Sequence, residues 1–127
     1  MNVLIVEDDP NLRALWRAVM AEMNYLVHEA ETLASAQTAL RAARFDLVLL
    51  DLYLGQDSAL SLVSQANAAS PDCKIVIVTG SSHYGNGELF DISSSVASVL
   101  RKPVDVEDLI ATCESVAEPL AASARQG

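Results

Sequence analysis

Short apolar runs alternate with amphipathic segments five times along this chain, and the alternation limits the fold more than any other feature. The runs are Val3–Val6, Leu26–His28, Leu47–Leu50, Ile75–Val78 and Val96–Leu100. Three of them are continuous blocks of β-branched residues or leucine, which is typical of parallel strands covered on both faces. The second run is more polar and suits an edge strand. We therefore expect an α/β fold in which helices cover a parallel sheet on both faces, as a three-layer sandwich.

The segments between the runs carry helical periodicity. Apolar residues spaced by three and four positions predict a buried face on the first helix, made by Leu12, Leu15, Trp16, Val19, Met20 and Met23. A second such face, made by Val106, Leu109, Ile110, Cys113, Val116 and Ala117, is expected on the last helix. Asp9 before Pro10, Thr32 and Asp105 are the expected N-caps of three helices. Glycines and serines in Ser81–Ser95 instead predict a long loop with a short helix.

The charge balance and the cysteines exclude several classes of protein. Among 127 residues, 17 are acidic and 8 basic, so the net charge of -9 argues against binding to nucleic acid or an anionic membrane. No apolar run is long enough to span a bilayer, and the N-terminus lacks the basic segment of a signal peptide. Cys73 and Cys113 form neither a zinc motif nor a CxxC pair, so we expect a reduced, cytoplasmic protein. The length fits one domain over residues 1–120 with a tail at 121–127.

Four of the five apolar runs end in polar side chains that could carry chemistry. They are Glu7 and Asp8 after the first, Asp51 after the third, Thr79 after the fourth and Lys102 after the fifth. Because the carboxyl ends of parallel strands meet at one edge of the sheet, we expect these residues to share a cleft.

Carboxylates crowded in a cleft repel, by about 4 kcal/mol for two unit charges 4 Å apart at an effective dielectric near 20. A divalent cation with oxygen ligands offsets this repulsion, and Mg²⁺ typically combines one or two carboxylates with water and a phosphate oxygen. An aspartate can also act as a nucleophile and become an aspartyl phosphate. The cation and Lys102 would then neutralise charge on the phosphoryl oxygens, and the Thr79 hydroxyl would donate a hydrogen bond to one of them.

Taken singly, these residues also have structural interpretations. Glu7 and Asp8 could be solvated carboxylates at a strand end, and Asp51 could simply end a strand. Thr79 favours strands in any case. Lys102 is more informative, because the chain has only one other lysine and this one precedes a proline at a strand end.

Taken together, the strand-end blocks resemble the receiver domain of two-component response regulators. The matching stretches are Val3–Pro10, Asp46–Leu52, Ile75–Gly80 and Val99–Pro103, and the resemblance extends from about Asn2 to Glu118. It implies a doubly wound five-stranded parallel sheet of order 2-1-3-4-5, the flavodoxin-like arrangement. It also implies a signalling domain that catalyses only its own phosphorylation and slow dephosphorylation, and no other enzyme activity.

The resemblance assigns a role to each acidic residue. Asp51 would accept a phosphoryl group from a sensor histidine kinase or a histidine phosphotransfer protein. Glu7 and Asp8 would bind Mg²⁺ together with Asp51 and the backbone carbonyl of Tyr53. The cognate kinase, the signal and the downstream effector or output domain are not indicated by any residue of the chain.

Near the fifth strand, the resemblance assigns roles to Thr79 and Lys102 but also meets departures from the family pattern. Both residues would contact the phosphoryl group, and the bond from Lys102 to Pro103 would be cis. Val99 stands where the family usually has an aromatic residue, and Ser95-Val96 replaces the usual Gly-Ala pair before the fifth strand. These departures leave open how phosphorylation would reach the face formed by the fourth predicted helix, the fifth strand and the last helix. A homodimer would form through that face.

Other functional classes remain as alternatives. A receiver-like interaction module that works without phosphorylation is the first, although such modules typically lose one of the site residues, and this chain has them all. A metal-dependent phosphatase of the haloacid dehalogenase type would need Asp-x-Asp at the first strand, where this chain has Glu7-Asp8-Asp9. A Toprim-type nuclease would need the same motif at the third strand, where this chain has Asp51-Leu52-Tyr53. A flavodoxin would need a phosphate loop rich in serine, threonine and glycine after the first strand.

Overall fold

A computed structural model describes residues 1–54, 57–80 and 95–126 of the chain. Five strands form one sheet: β1 (Asn2–Val6), β2 (Leu26–Ala30), β3 (Leu47–Asp51), β4 (Lys74–Thr79) and β5 (Val96–Arg101). The spatial order is β2-β1-β3-β4-β5, and every neighbouring pair in this sheet is parallel. The predicted order 2-1-3-4-5 is therefore confirmed.

Four helices in the described residues cover the sheet: α1 (Pro10–Glu22), α2 (Leu33–Ala42), α3 (Ser61–Ala69) and α4 (Val106–Gln126). The three predicted N-caps are confirmed. Asp9 accepts hydrogen bonds from the N–H groups of Asn11 and Leu12, Thr32 forms a capping box, and Asp105 accepts from the Glu107 N–H. No helix in the described part of the chain has the length and apolar character that a membrane crossing requires.

The two faces of the sheet carry separate apolar clusters. Val3 and Ile5 of β1 belong to the cluster beneath α1 and α4, which contains Trp16, Met20, Leu109 and Cys113. Leu4 and Val6 belong to the opposite cluster, beneath α2 and α3. Because β1 and β3 are buried on both faces, nearly all their residues are apolar, whereas the edge strand β2 leaves Leu26 68% exposed.

Two residues assigned to buried helix faces by periodicity are in fact exposed. Leu15 is 44% exposed, because Trp16 and Met20 take the positions of α1 that face the sheet. Val106 is 37% exposed, since it begins α4 before the first buried position at Leu109.

Two further predictions concern the C-terminal residues and the segment before β5. α4 continues to Gln126, through most of the tail predicted for residues 121–127, and the domain boundary at residue 120 stays a prediction. The loop and short helix predicted for Ser81–Ser95 lie outside the described residues, apart from Ser95.

Candidate functional site

The register of β1 against β3 brings the acidic residues to one edge of the sheet. Val6 is level with Leu50, so Glu7 and Asp51 are the next residues along the two neighbouring strands. One carboxylate oxygen from each of Glu7, Asp8 and Asp51 lies within 4.8 Å of the other two. The three carboxylates that the sequence pattern assigns to this edge are thus a single cluster.

The members of this acidic cluster differ sharply in burial. The Glu7 side chain is fully buried and Asp51 is 5% exposed, whereas Asp8 is exposed to solvent. Burial, reinforced by the charge of Asp51, raises the pKa of Glu7 from 4.5 to about 7. The hydrogen bond from the Asp9 N–H and the contact with Lys102 lower this pKa in part. Glu7 is therefore no solvated strand-end carboxylate.

Lys102 provides the positive charge of the site. Its Nζ atom lies 3.1 Å from Glu7 Oε2 and 3.2 Å from Asp51 Oδ2, and 6.0 Å from the centre of the Trp16 ring. Burial alone lowers the pKa of Lys102, but Asp51 and Glu7 reverse this effect and the net pKa is raised. The bond from Lys102 to Pro103 is cis, as the resemblance implies.

Thr79 is the last residue of β4 and is almost completely buried. Its carbonyl accepts a hydrogen bond of 3.0 Å from the Lys102 N–H, which connects the ends of β4 and β5. On the other side, the Leu52 N–H donates to the Val78 carbonyl at 3.0 Å and connects the end of β3 to β4. Backbone contacts thus hold the ends of the three strands that supply Asp51, Thr79 and Lys102.

A short antiparallel pair follows Asp51, which the sequence pattern did not predict. Tyr53–Leu54 pairs with Asp57–Ser58, and the Ala59 N–H donates to the Leu52 carbonyl at 2.7 Å. The Tyr53 N–H also donates to Asp51 Oδ1 at 3.3 Å. Strands of two residues are too short for apolar alternation to reveal, yet this pair holds the backbone next to Asp51.

Arg13 of α1 also reaches the site and was missed from the sequence. Its Nη1 donates to the backbone carbonyl of Glu7 at 3.0 Å. Arg13 lies on the polar side of an amphipathic helix, where periodicity alone predicts a solvated charge. Only its position four residues after the Asp9 N-cap indicates that it faces the end of β1.

The acidic cluster has the composition of a site for a hard cation. All three side chains offer carboxylate oxygens, which Mg²⁺ and Ca²⁺ prefer, and the exposed Asp8 leaves an approach from solvent. Lys102 neutralises the cluster only in part, because one ammonium faces two carboxylates directly. Glu7, Asp8 and Asp51 could therefore hold a divalent cation.

Comparison with known proteins relates this geometry to a family. The model of the response regulator receiver domain matches residues 3–114, a range that contains every residue of the site. The alginate biosynthesis transcriptional regulatory protein AlgB of Pseudomonas putida is 32% identical over 84% of this chain and 24% of its own length. This chain thus spans about a quarter of AlgB. The response regulator receiver protein CpdR of Brucella abortus is 28% identical over 90% of this chain and 94% of its own length.

A solved structure gives the same relation in three dimensions. A response regulator protein from Burkholderia pseudomallei, crystallised with a phosphorylated aspartic acid, a calcium ion and citrate, superposes with a TM-score of 0.76. It is 25% identical, and the superposition covers 99% of this chain and 74% of that protein. Strand order, the acidic cluster and the family match agree, and this chain belongs to the response regulator receiver domain family.

Proposed function

We propose that this chain receives a phosphoryl group on Asp51 from a sensor histidine kinase or a histidine phosphotransfer protein, in a reaction that depends on Mg²⁺. The observation that carries the proposal is the placement of the Asp51 carboxylate, buried at the end of a central strand between Lys102 and two further carboxylates. The phosphorylated aspartate of the similar Burkholderia protein supports the same chemistry for this chain. Both cysteines are unpaired thiols, which agrees with the cytoplasm as the compartment.

The proposed step is an in-line phosphoryl transfer. A carboxylate oxygen of Asp51 forms a bond to phosphorus as the N–P bond of the donor phosphohistidine breaks, and the electron pair of that bond returns to the imidazole. The donor ring carries a proton on its other nitrogen, so it leaves as neutral imidazole, and Asp51 becomes an acyl phosphate. The charge that the site must stabilise during transfer lies on the phosphoryl oxygens. The site therefore acts mainly by holding the reacting groups in place and by offsetting that charge.

Three carboxylates and one carbonyl would hold the cation. Glu7, Asp8 and Asp51 supply carboxylate oxygens, and we assign the backbone carbonyl of Tyr53 as the fourth protein ligand. A bound Mg²⁺ would neutralise charge on the phosphoryl oxygens during transfer. Without the cation, the phosphoryl dianion would approach three carboxylates, and the Lys102 ammonium, which contacts Glu7 and Asp51, would offset only part of the repulsion.

Lys102 and Thr79 would complete the phosphoryl site. Lys102 already contacts Asp51 Oδ2 at 3.2 Å, so its ammonium can move to a phosphoryl oxygen without a change of backbone. Thr79 ends the neighbouring strand and would donate its hydroxyl hydrogen to another phosphoryl oxygen. A point charge suits the role of Lys102, because it can follow an oxygen through the reaction without a fixed orientation.

We further propose that phosphorylation alters a surface that other proteins read. AlgB, which is named a transcriptional regulatory protein, extends well beyond the matched region, so its regulatory output could use the rest of its chain. By contrast, CpdR is almost entirely covered by the match. The surface of β5 and α4 would carry the signal to an output domain, an effector or a second copy of the chain.

Incubation with acetyl phosphate and Mg²⁺, followed by intact mass spectrometry, tests the proposal. One phosphoryl group should add about 80 Da, the mass that aspartyl phosphate formation requires. Asp51→Asn should abolish the gain, because an amide oxygen is a poor nucleophile. Asp46→Asn is the matched control, since Asp46 precedes the opposite end of the same strand.

A mass gain that persists in Asp51→Asn would contradict the assignment. No gain in the wild-type protein, at any Mg²⁺ concentration, would favour the interaction module that works without phosphorylation.

A further inference from the structure

Arg13 forms hydrogen bonds to both ends of the acidic turn Glu7–Asp9, which connects β1 to α1. Its backbone N–H donates to the Asp9 carbonyl at 2.9 Å, which begins the hydrogen bonding of the helix. Its guanidinium Nη1 donates to the Glu7 carbonyl at 3.0 Å. One residue thus holds both ends of the tripeptide Glu7–Asp9, whose middle member is Asp8.

The same guanidinium is fixed from the other side by β2. Arg13 Nε lies 3.4 Å from Glu29 Oε1, and Nη2 lies 3.8 Å from Glu31 Oε2. Between these two glutamates, the Ala30 carbonyl accepts a hydrogen bond of 3.1 Å from the Glu7 N–H. The contacts form a closed ring through the end of β1, the first turns of α1 and the end of β2.

We propose that Arg13 is a positioning residue that fixes the Glu7–Asp9 turn and so holds the Glu7 and Asp8 carboxylates in place for a divalent cation. The inference rests on the proposed function, because it takes Glu7 and Asp8 as ligands. Arg13 contacts the backbone of Glu7 and does not act on the cation itself. Outer-shell contacts of this kind determine where ligand oxygens lie before the cation arrives.

Arginine is the only side chain that can make these contacts together. The guanidinium presents donors in a rigid fork, and here three different nitrogens meet three different acceptors. A lysine ammonium keeps the charge, but its single nitrogen cannot reach acceptors on both strands at once. The Arg13 side chain is only 18% exposed, so its geometry is restrained by packing as well.

Arg17 supplies a matched control on the same helix. It forms an ion pair of 2.7 Å with Glu29 Oε2, but its side chain is 61% exposed. Arg17→Gln therefore removes the same charge from the same element and perturbs the same glutamate. Of the two, only Arg13 has a hydrogen bond to the Glu7 carbonyl in the described structure.

The sign of the change in Mg²⁺ affinity separates positioning from charge. A mere charge effect predicts tighter Mg²⁺ binding in Arg13→Gln, because a cation near the site is removed. Positioning predicts weaker binding in both Arg13→Gln and Arg13→Lys, roughly tenfold by comparison with other outer-shell contacts. Arg17→Gln should bind Mg²⁺ as the wild type does or slightly more tightly. Titration of amide chemical shifts with MgCl₂ measures all four proteins.

A second measurement uses the protein without Mg²⁺. The Asp9 N–H donates to Glu7 Oε1 at 3.1 Å, so its hydrogen exchange reports the order of the turn. We expect this exchange to accelerate several-fold in both Arg13 variants and to stay unchanged in Arg17→Gln. Hydrogen exchange of the β3 amides reports the global stability of each variant. If Arg13→Gln unfolds, Arg13→Lys provides a folded protein for the comparison.

Each outcome decides the inference. Unchanged exchange at Asp9 in the Arg13 variants would overturn it, and so would Mg²⁺ affinity that stays constant or rises in Arg13→Gln. If the wild type binds no Mg²⁺ at any concentration, the proposed function fails. The inference then fails with it, because faster exchange at Asp9 in the Arg13 variants would show only that Arg13 orders the turn and not that it positions ligands for a cation.

Discussion

Glu7 is a carboxylate in an environment far from that of a solvated side chain. It is fully buried and has no contact with water, although its charged form contacts Lys102 and accepts a hydrogen bond from the Asp9 N–H. The raised pKa shows that the loss of water outweighs these contacts. The acidic cluster, which could hold a cation, thus contains a carboxylate whose neutral form is favoured up to a pH near 7.

The pKa of Glu7 predicts a pH-dependent stability in the absence of divalent cations. Because its folded pKa is raised from 4.5 to about 7, Glu7 contributes stability below pH 4.5 and loses it as the pH rises through 7. The free energy of unfolding of Glu7→Gln, measured relative to the wild type, should therefore rise by roughly 2 kcal/mol from pH 5 to pH 8, at about 1.4 kcal/mol per pKa unit. Urea unfolding in EDTA at both pH values measures this difference.

The exposed Glu22 of α1 gives the control for this experiment. Glu22→Gln removes the same charge without altering the site, so its free energy of unfolding relative to the wild type should be the same at pH 5 and pH 8. If Glu7→Gln and Glu22→Gln change in parallel with pH, the burial of Glu7 does not govern its titration.

Among the elements, β5 carries the departure from the receiver pattern that the sequence resemblance indicates, namely Val99 in place of an aromatic residue. Val99 is half-buried against the cluster beneath α2 and α3, and it lies opposite Ile77 of β4. A β-branched side chain is stiff at χ1 and cannot swing as an aromatic ring would. We therefore predict that the chain does not transmit a signal by the movement of an aromatic ring on β5.

We predict that phosphorylation changes residues 81–92 and leaves β5 almost unmoved. The segment lies outside the described residues, and its sequence is rich in glycine and serine, which predicts a small free-energy cost of reordering. Amide chemical shifts and hydrogen exchange, with and without beryllofluoride, measure both regions. Asp51→Asn, treated in the same way, shows which changes depend on the phosphorylation site.

The opposite distribution would reject this prediction. Large changes centred on Val99 and Leu100, with residues 81–92 unaffected, would mean that β5 transmits the signal without an aromatic residue.

At the scale of the whole molecule, we predict that a divalent cation bound at the acidic cluster stabilises the fold. A ligand that binds only the folded state stabilises it by RT ln(1 + [L]/Kd), about 1.4 kcal/mol at ten times the dissociation constant. We expect Mg²⁺ at tens of millimolar to raise the Tm, because a site with few protein ligands binds in the millimolar range.

The double variant Glu7→Gln, Asp8→Asn should lose this increment. It should also be more stable than the wild type in EDTA at neutral pH, since it removes repulsion among the three carboxylates. A control with two exposed acids replaced, Glu22→Gln and Asp72→Asn, should keep the increment. A strongly destabilised double variant would show instead that Glu7 and Asp8 hold the fold together.

The sequence by itself determined the elements of this fold and the residues at their ends. Apolar runs, helical periodicity and caps such as Asp9 and Thr32 depend on neighbours a few positions away, and the caps are confirmed. Because strands of a parallel sheet end at one edge, the sequence also suffices to assign Glu7, Asp51 and Lys102 to one cleft.

Only the tertiary structure decided how those residues differ within the cleft. Glu7 is buried while its neighbour Asp8 is exposed, and Arg13 reaches back from α1 to the Glu7 carbonyl. Such differences depend on which side chains arrive from distant segments, Lys102 from 95 positions further along the chain among them. Burial, ion pairing and the pKa of Glu7 are properties of that assembly, and a pattern of neighbouring residues does not contain them.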